Sequence, residues 1–280
     1  MAANKSEITI SVIISTYNHP EWLEKVLWGY EVQTYKNFEI VIADDGSAAE
    51  TKDLIEKFQA QGILSITHVW HEDNGFQKSE ILNKAILASK ADYLLFSDGD
   101  CIPKNNFVEI HQNNKKSGYF ISGGYFMLPM HTSKAIKKEN IHNQEVFQKD
   151  WLYANGVAKT FKMNKLSSSG FFEKFMNFIT PTKATWNGHN SSGWKADIIK
   201  VNGFDERMQY GGQDRELGER LVNLGIKSIQ LRYSAIVVHL DHKRGYKTQE
   251  SIDKNKAIRK ATKTEKSIFT PYGVVKKNEG

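Results

Sequence analysis

Over residues 8–100 the chain alternates between short β-branched apolar runs and stretches carrying a helical apolar stripe, and this alternation limits its possible folds more than any other feature. "ITISVIIS" (Ile8 to Ser15) has the composition of a buried strand and is followed by the polar turn Thr16 to Pro20. From Glu21, the residues Trp22, Leu23, Val26, Leu27 and Tyr30 fall on one helical face, and "FEIVIA" (Phe38 to Ala43) is a second strand that ends in Asp44-Asp45-Gly46. Ser47 and Glu50 have capping-box spacing, which predicts a helix starting there and running through Leu54, Ile55 and Phe58. A third strand is expected near Ile63 to Val69, then a helix carrying Ile81, Leu82, Ala85 and Ile86, then a strand ending at Phe96. Repeated strand–helix units of this kind imply a mainly parallel α/β sheet flanked by helices, with its loops gathered at the C-terminal ends of the strands.

That topology changes the meaning of "FSDGD" (Phe96 to Asp100). Alone, Asp98-Gly99-Asp100 is an ordinary polar turn. In a doubly wound sheet it shares one edge with Thr16–Asn18 and Asp44-Asp45, where open α/β sheets bind ligands. Two carboxylates flanking a glycine suit a hard divalent cation, manganese or magnesium, which can also hold a diphosphate. "VVHLDH" (Val237 to His242) offers His239 and His242 as further ligands after another β-branched run. In "GFDERMQYGGQDRELGERL" (Gly203 to Leu221), Gly211-Gly212 permits a tight loop, and Gln213-Asp214 opens a helix with a core face of Leu217, Leu221 and Leu224. Asp214 is either a favourable acid at a helix N-terminus or a general base at the mouth of a site.

The 280 residues carry a net charge of +6, which admits nucleic acid, an anionic membrane or phosphorylated ligands as partners. No nucleic-acid motif accompanies the lysines, so nucleic acid is not expected. No apolar run is long enough to span a bilayer and "MAANKSEITI" lacks a signal core, so the expectation is cytoplasmic residence, at most peripheral to the inner face of the membrane. The single cysteine, Cys101, rules out an internal disulfide and suits a small buried side chain. Residues 131–185 differ in texture, Lys-rich and then aromatic. Their Phe171, Phe172, Phe175 and Phe178 are expected to pack as core or beneath an acceptor-side lid, the other reading being a membrane interface. The basic tail, 251–280, suits an exposed helix or an anionic surface.

The ordered segments "SVIISTYNHPEWLEKVLWGYEVQTYKNFEIVIADDGS", "FSDGD" and "GHNSSGWKADIIKVNGFDERMQYGGQDRELGERL" resemble family two glycosyltransferases of GT-A fold, the last being similar to the galactosyltransferase-like segment of chondroitin-polymerase-type and bacterial surface-glycan enzymes. The resemblance covers roughly residues 8–128 and 186–245. It implies one GT-A domain over residues 1–250, with a nucleotide-sugar half (1–130), an insertion or lid (131–185) and an acceptor and catalytic half (186–250). It implies that Thr16, Tyr17 and Asp44 hold the nucleobase and ribose, with Asn18 and Asp45 nearby, that Asp100 ligates the metal directly, and that Asp98 and Gly99 lie closer to the ribose. Asp214 falls at the catalytic base and His239 at a metal-ligating histidine. Gln213 stands after Gly212 where the family commonly has an acid, which puts acceptor preference in question. Lys78 and Glu80 stand in the region where relatives often show an Ala-Arg-Asn run; Asn83 remains, and Lys78 is expected to take over a basic phosphate contact.

The resulting expectation is an inverting, metal-dependent transferase. It would move a hexose or N-acetylhexosamine from a nucleotide-diphosphate sugar, with UDP as the expected nucleotide, to a glycan or lipid-linked acceptor in surface polysaccharide or lipopolysaccharide synthesis. Trp186, Asn187, His189 and Asn190 are expected at the sugar site, because an aromatic face packs on sugar C–H groups while amides meet hydroxyls. The rivals are a non-catalytic nucleotide-sugar or glycan-binding protein and a sugar nucleotidyltransferase.

Overall fold

The computed structural model describes residues 8–167, 170–180, 185–243 and 247–276. The expected insertion therefore has residues 168–169 and 181–184 outside the described part, and the tail has 277–280 outside it. One eight-stranded sheet runs in the order β3-β2-β1-β4-β7-β6-β8-β5. Its strands are β1 (Ile10–Thr16), β2 (Phe38–Asp44), β3 (Ile66–Trp70), β4 (Tyr93–Asp98), β5 (Cys101–Pro103), β6 (Tyr119–Met127), β7 (Asn190–Trp194) and β8 (Lys227–His239). Only β7 and β5 run against the rest, so the sheet is mixed but mainly parallel, the expected class.

Every residue of β1 and β2 is buried, because helices cover both faces. Ile10, Val12 and Ile14 alternate with Ile13. The first three pack with Trp22, Leu23 and Val26 of the helix Pro20–Glu31. Ile13 faces Ile81, Leu82 and Ile86 of the helix Lys78–Ala88, together with Leu217 and Leu221 of the helix Gln213–Asn223. The period of two thus feeds two cores, one on each face of the sheet.

Several local expectations shift. The helix after β2 is Ala49–Gln61, with Ala48 at its N-cap. Ser47 is spent on the preceding turn, donating its N–H to Asp44 Oδ1 and accepting from Asn18 N–H, so the capping box does not form. The third strand begins at Ile66, later than its apolar run suggests. The phenylalanines expected to pack in a core lie on the helix Gly170–Ile179 and are exposed, Phe171 to 84% and Phe178 to 88%. The basic tail forms a docked helix, Gln249–Thr264, whose Ser251, Asn255 and Thr262 are buried.

The central strand β7 is polar, and a chain of hydrogen bonds accounts for its burial. The Tyr93 hydroxyl donates to Ser192 Oγ (2.9 Å), which donates to His111 Nδ1 (2.7 Å). His111 Nε2 donates to Asn190 Oδ1 (3.1 Å), and Asn190 Nδ2 donates to the carbonyls of Gly124 and Ala235. Every member is satisfied when His111 is neutral. Asn190 fills the register shift between Gly123 and Gly124, where a Cβ on Gly123 would lie 2.1 Å from its Oδ1.

Candidate active site

Asp98-Gly99-Asp100 joins the end of β4 directly to the start of β5 and lines the cleft described below. β5 pairs with the end of β8, Cys101 opposite His239, and Leu240 N–H donates to Asp100 O (2.8 Å). This register brings Asp100 against two imidazoles: His242 Nε2 lies 3.0 Å from Oδ2 and His239 Nε2 lies 3.7 Å from Oδ1. Each ring donates its Nδ1–H to a backbone carbonyl, His239 to Leu240 O (2.8 Å) and His242 to Lys243 O (3.0 Å), which turns both Nε2 atoms toward the carboxylate. The rings stack with centroids 5.7 Å apart. Burial opposes ionisation of Asp100, yet His239 and His242 hold its carboxyl well below the usual range. Burial, with Asp100 alongside, pushes the Cys101 thiol up, so it stays protonated and donates to Asp100 Oδ1 (3.3 Å).

Asp98 faces the other way. Its Oδ1 accepts from Ser15 Oγ and from Lys78 Nζ, both at 2.7 Å. Burial would raise this carboxyl, but the Lys78 ammonium holds it below the usual range despite Asp100 nearby. Lys78 is in turn raised, its own burial outweighed by Asp98. Asp98 is therefore bonded to a lysine and a serine, while Asp100 faces the two histidines.

Opposite stands Asp214 in the first turn of Gln213–Asn223. Gly188 N–H donates to its Oδ2 (3.0 Å) and Arg215 N–H to its Oδ1 (2.8 Å). Gly212 precedes the helix at φ +93, a left-handed geometry that favours glycine. Gln213 is buried, and its Oε1 accepts from Gly211 N–H (3.1 Å), so the amide in place of the family's acid stabilises its own loop.

A cleft of about 830 Å³ joins these groups. Of the residues expected at a site, it is lined by Thr16, Tyr17, Asn18, Asp45 and Lys78, by Asp98, Gly99 and Asp100, and by His189, Gly212, Gln213, Asp214 and His239. Five expected residues do not line it. Asp44 is fully buried, accepting from Ser47 N–H (2.9 Å) and pairing with His68 Nε2 (2.9 Å). Its neighbour Asp45 faces the cleft, held by His71 Nε2 (2.9 Å) and Gln77 N–H (3.1 Å), with burial raising its carboxyl. Asn83 brackets the Phe204 backbone, donating to its carbonyl (2.9 Å) and accepting from its N–H (2.8 Å). Trp186 is 0% exposed and packs edge-on against Phe96 (5.4 Å), which corrects its expected place against a sugar. Asn187 donates to Ser122 Oγ (2.8 Å), and Asn190 belongs to the buried chain in β7.

Other lining residues escaped the sequence reading. Phe76 and Tyr210 meet edge to face (6.1 Å) at one end of the cleft, and the tail helix contributes Ile252, Lys256 and Arg259. The tail looked like a solvated charge run, and its docking rests on long-range bonds such as Asn255 Nδ2 to Gln209 O (3.0 Å) and Arg259 to Glu219. His189 carries the one signal that could have been weighted more. It lies 6.3 Å from His239 and 4.8 Å from Tyr125, with burial lowering its pKa.

Residues 11–169, more than half of the chain, match the family model described as Glycosyl transferase family 2. The chondroitin synthase of Escherichia coli is 25% identical over 228 residues, 77% of this chain and 32% of that protein, so the chain spans about a third of that relative's length. Among solved structures, the mannosyltransferase PcManGT from Pyrobaculum calidifontis, in complex with GDP-Man and Mn2+, superposes with a TM-score of 0.57 at 16% identity, over 95% of this chain and 65% of that one. TarS 1-349 of S. aureus, in complex with UDP-GlcNAc, gives 0.58 at 15% identity, over 85% and 60%. At these identities the likeness establishes the GT-A fold alone.

Proposed function

The chain belongs to glycosyl transferase family 2, and from that premise we propose that it transfers a hexose or N-acetylhexosamine from a UDP-sugar, with inversion, to a hydroxyl of a glycan or lipid-linked acceptor in surface polysaccharide or lipopolysaccharide synthesis. The observation that carries this reading is the pairing, across one cleft, of Asp100 between two inward-turned imidazoles with Asp214 on a glycine-hinged helix. The donor half is residues 1–130 and the catalytic half 186–250, with the tail helix adding to the wall.

Thr16, Tyr17 and Asp45 receive the nucleoside, and Lys78 meets the diphosphate while fixing Asp98 near the ribose. Asp100, His239 and His242 fit a divalent cation: one carboxylate and two imidazole nitrogens form a mixed set that suits manganese better than magnesium, whose preference is for oxygen alone. The chemistry such a cation supplies is neutralisation of the charge that builds on the departing diphosphate. Asp214, its oxygens aimed by Gly188 N–H and Arg215 N–H, takes the proton from the acceptor hydroxyl as that oxygen attacks the anomeric carbon. The diphosphate leaves from the opposite face, and one displacement inverts the centre. TarS in complex with UDP-GlcNAc and the chondroitin synthase relative support the donor and acceptor classes.

The test is nucleotide release over a panel of UDP-, GDP- and dTDP-sugars with and without manganese, using wild type, Asp100→Ala and Asp214→Asn. We expect manganese-dependent release with one UDP-sugar and a drop of at least about 100-fold in both variants, the scale on which a positioned acid or base contributes. Donor binding without turnover across a broad acceptor panel would replace the transferase with a binding protein, and a product with retained configuration by proton NMR would remove the single displacement.

A further inference from the structure

The helix Gly170–Ile179 is fastened to the protein by its polar side. Glu173 and Asn177, one turn apart, bond to β8: Asn177 Nδ2 donates to Ser234 Oγ (2.7 Å), Tyr233 N–H donates to Asn177 Oδ1 (2.9 Å), and Ser234 Oγ donates to Glu173. The opposite side, with Phe171, Phe175 and Phe178 joined by Phe172 and Ile179, is exposed. The Phe171 and Phe175 rings stack on the outside with centroids 6.3 Å apart. An ordinary surface helix buries its apolar stripe and shows its polar one, and this one does the reverse.

The surroundings are cationic. Lys174 is exposed on the same helix and Lys162 is exposed just before it in the chain. Lys165 has its pKa lowered by burial and by the nearness of Arg232 and Lys162, so three positive groups crowd together. Lys165 Nζ also lies 5.8 Å from the ring centroid of Tyr125, which lines the cleft, so the basic cluster borders the cleft mouth. Among the described residues no helix is long and apolar enough to cross a membrane.

We propose that the outward face of Gly170–Ile179, with Lys162, Lys165, Lys174 and Arg232, docks on an anionic phospholipid bilayer. An amphipathic helix lying in the headgroup region buries its aromatic side while the flanking lysines meet lipid phosphates. The complementary charge selects a lipid surface over a second copy of this basic chain, which would repel the same cluster. The docked helix sets the cleft mouth beside the membrane, where a lipid-linked hydroxyl presents itself; the contact itself does not depend on the transferase reading.

The full chain is sedimented with vesicles of equimolar phosphatidylglycerol and phosphatidylcholine, and with phosphatidylcholine alone, at low and high salt. The variants are Phe171→Ser with Phe178→Ser, and Lys162→Glu with Lys174→Glu. We expect binding to the anionic vesicles only, weakened by salt, with apparent affinity at least about tenfold lower in each double variant. All four side chains are exposed, so the thermal midpoint should stay at the wild-type value, and the lysine pair decides the matter if the phenylalanine pair fails to fold. Absence of wild-type binding at low salt overturns the proposal, as does wild-type binding by both variants. A solution dimer that dissociates in the phenylalanine variant, with no vesicle contact, reassigns the face to self-association.

Discussion

His242 makes the shorter approach to Asp100, 3.0 Å against 3.7 Å for His239, although the family resemblance points to His239 alone. With both Nδ1 protons committed to carbonyls, the two Nε2 atoms are equivalent donors to a cation. His239→Ala and His242→Ala should therefore each weaken manganese activation by roughly 10–100-fold, the range for losing a group that sets a metal site, while Cys101→Ser leaves it near wild type. The measurement is the manganese concentration for half-maximal nucleotide release; a normal value in His242→Ala would leave His239 as the sole nitrogen ligand. The acidic pair and its histidines were legible because each follows an apolar, strand-like run. Which of two adjacent acids faces the cleft was not. Neighbours at a strand end point to opposite sides, so Asp44 turns to His68 while Asp45 turns to the cleft, and only the strand register with β3 decides between them.

At the scale of elements, the β-branched strands were legible from pattern, whereas β7 was not. "NSSGW" carries no apolar alternation, and its Asn190 resembled a sugar-binding amide. Its burial is possible because Tyr93 and His111 arrive from other parts of the chain to complete the bonds of Ser192 and Asn190. That chain requires neutral His111, and burial lowers its pKa from 6.5 to about 4. Above pH 6.5 both folded and unfolded states hold it neutral. Between pH 6.5 and 4 the unfolded chain takes up the proton and the fold does not, so stability falls with pH by up to about 3 kcal/mol. His111→Gln should be less stable at pH 7 yet lose less between pH 7 and 5 than wild type does, as judged by denaturant titration at the two pH values. Equal losses would mean that other groups set the acid sensitivity. The helix Gln213–Asn223 is held by a second buried set, Arg220 joining Glu216 (2.7 Å) to the Gly203 carbonyl (2.7 Å) while Thr262 of the tail helix donates to Glu216 (2.9 Å). The element bearing Asp214 is thereby tied to the end of the chain.

For the whole molecule, the consequence is that the basic end of the chain is part of the fold and of the cleft wall, which its lysine-rich composition concealed. A run rich in Lys has no apolar stripe to reveal where it docks, and here polar contacts do the docking. Asn202 is their hub: its Nδ2 donates to Thr270 O (2.7 Å) and Val275 O (2.9 Å), its Oδ1 accepts from Val275 N–H (2.7 Å), and its own carbonyl accepts from Val274 N–H (3.1 Å). It sits at φ +70, a left-handed geometry that asparagine tolerates and most residues do not. Asn202→Gly keeps that backbone and removes only the side-chain bonds, so it should cost about 2 kcal/mol, the scale for buried partners left unsatisfied. Asn202→Ala should cost more, because a Cβ is strained at that φ. The loosened end should become open to trypsin at the lysines of Gln249–Thr264 while the sheet stays resistant. Since Ile252, Lys256 and Arg259 line the cleft, the same substitution should weaken acceptor use more than donor hydrolysis. Digestion at the wild-type rate in Asn202→Gly would mean that the helix-to-helix contacts Arg259–Glu219 and Thr262–Glu216 hold the tail without this anchor.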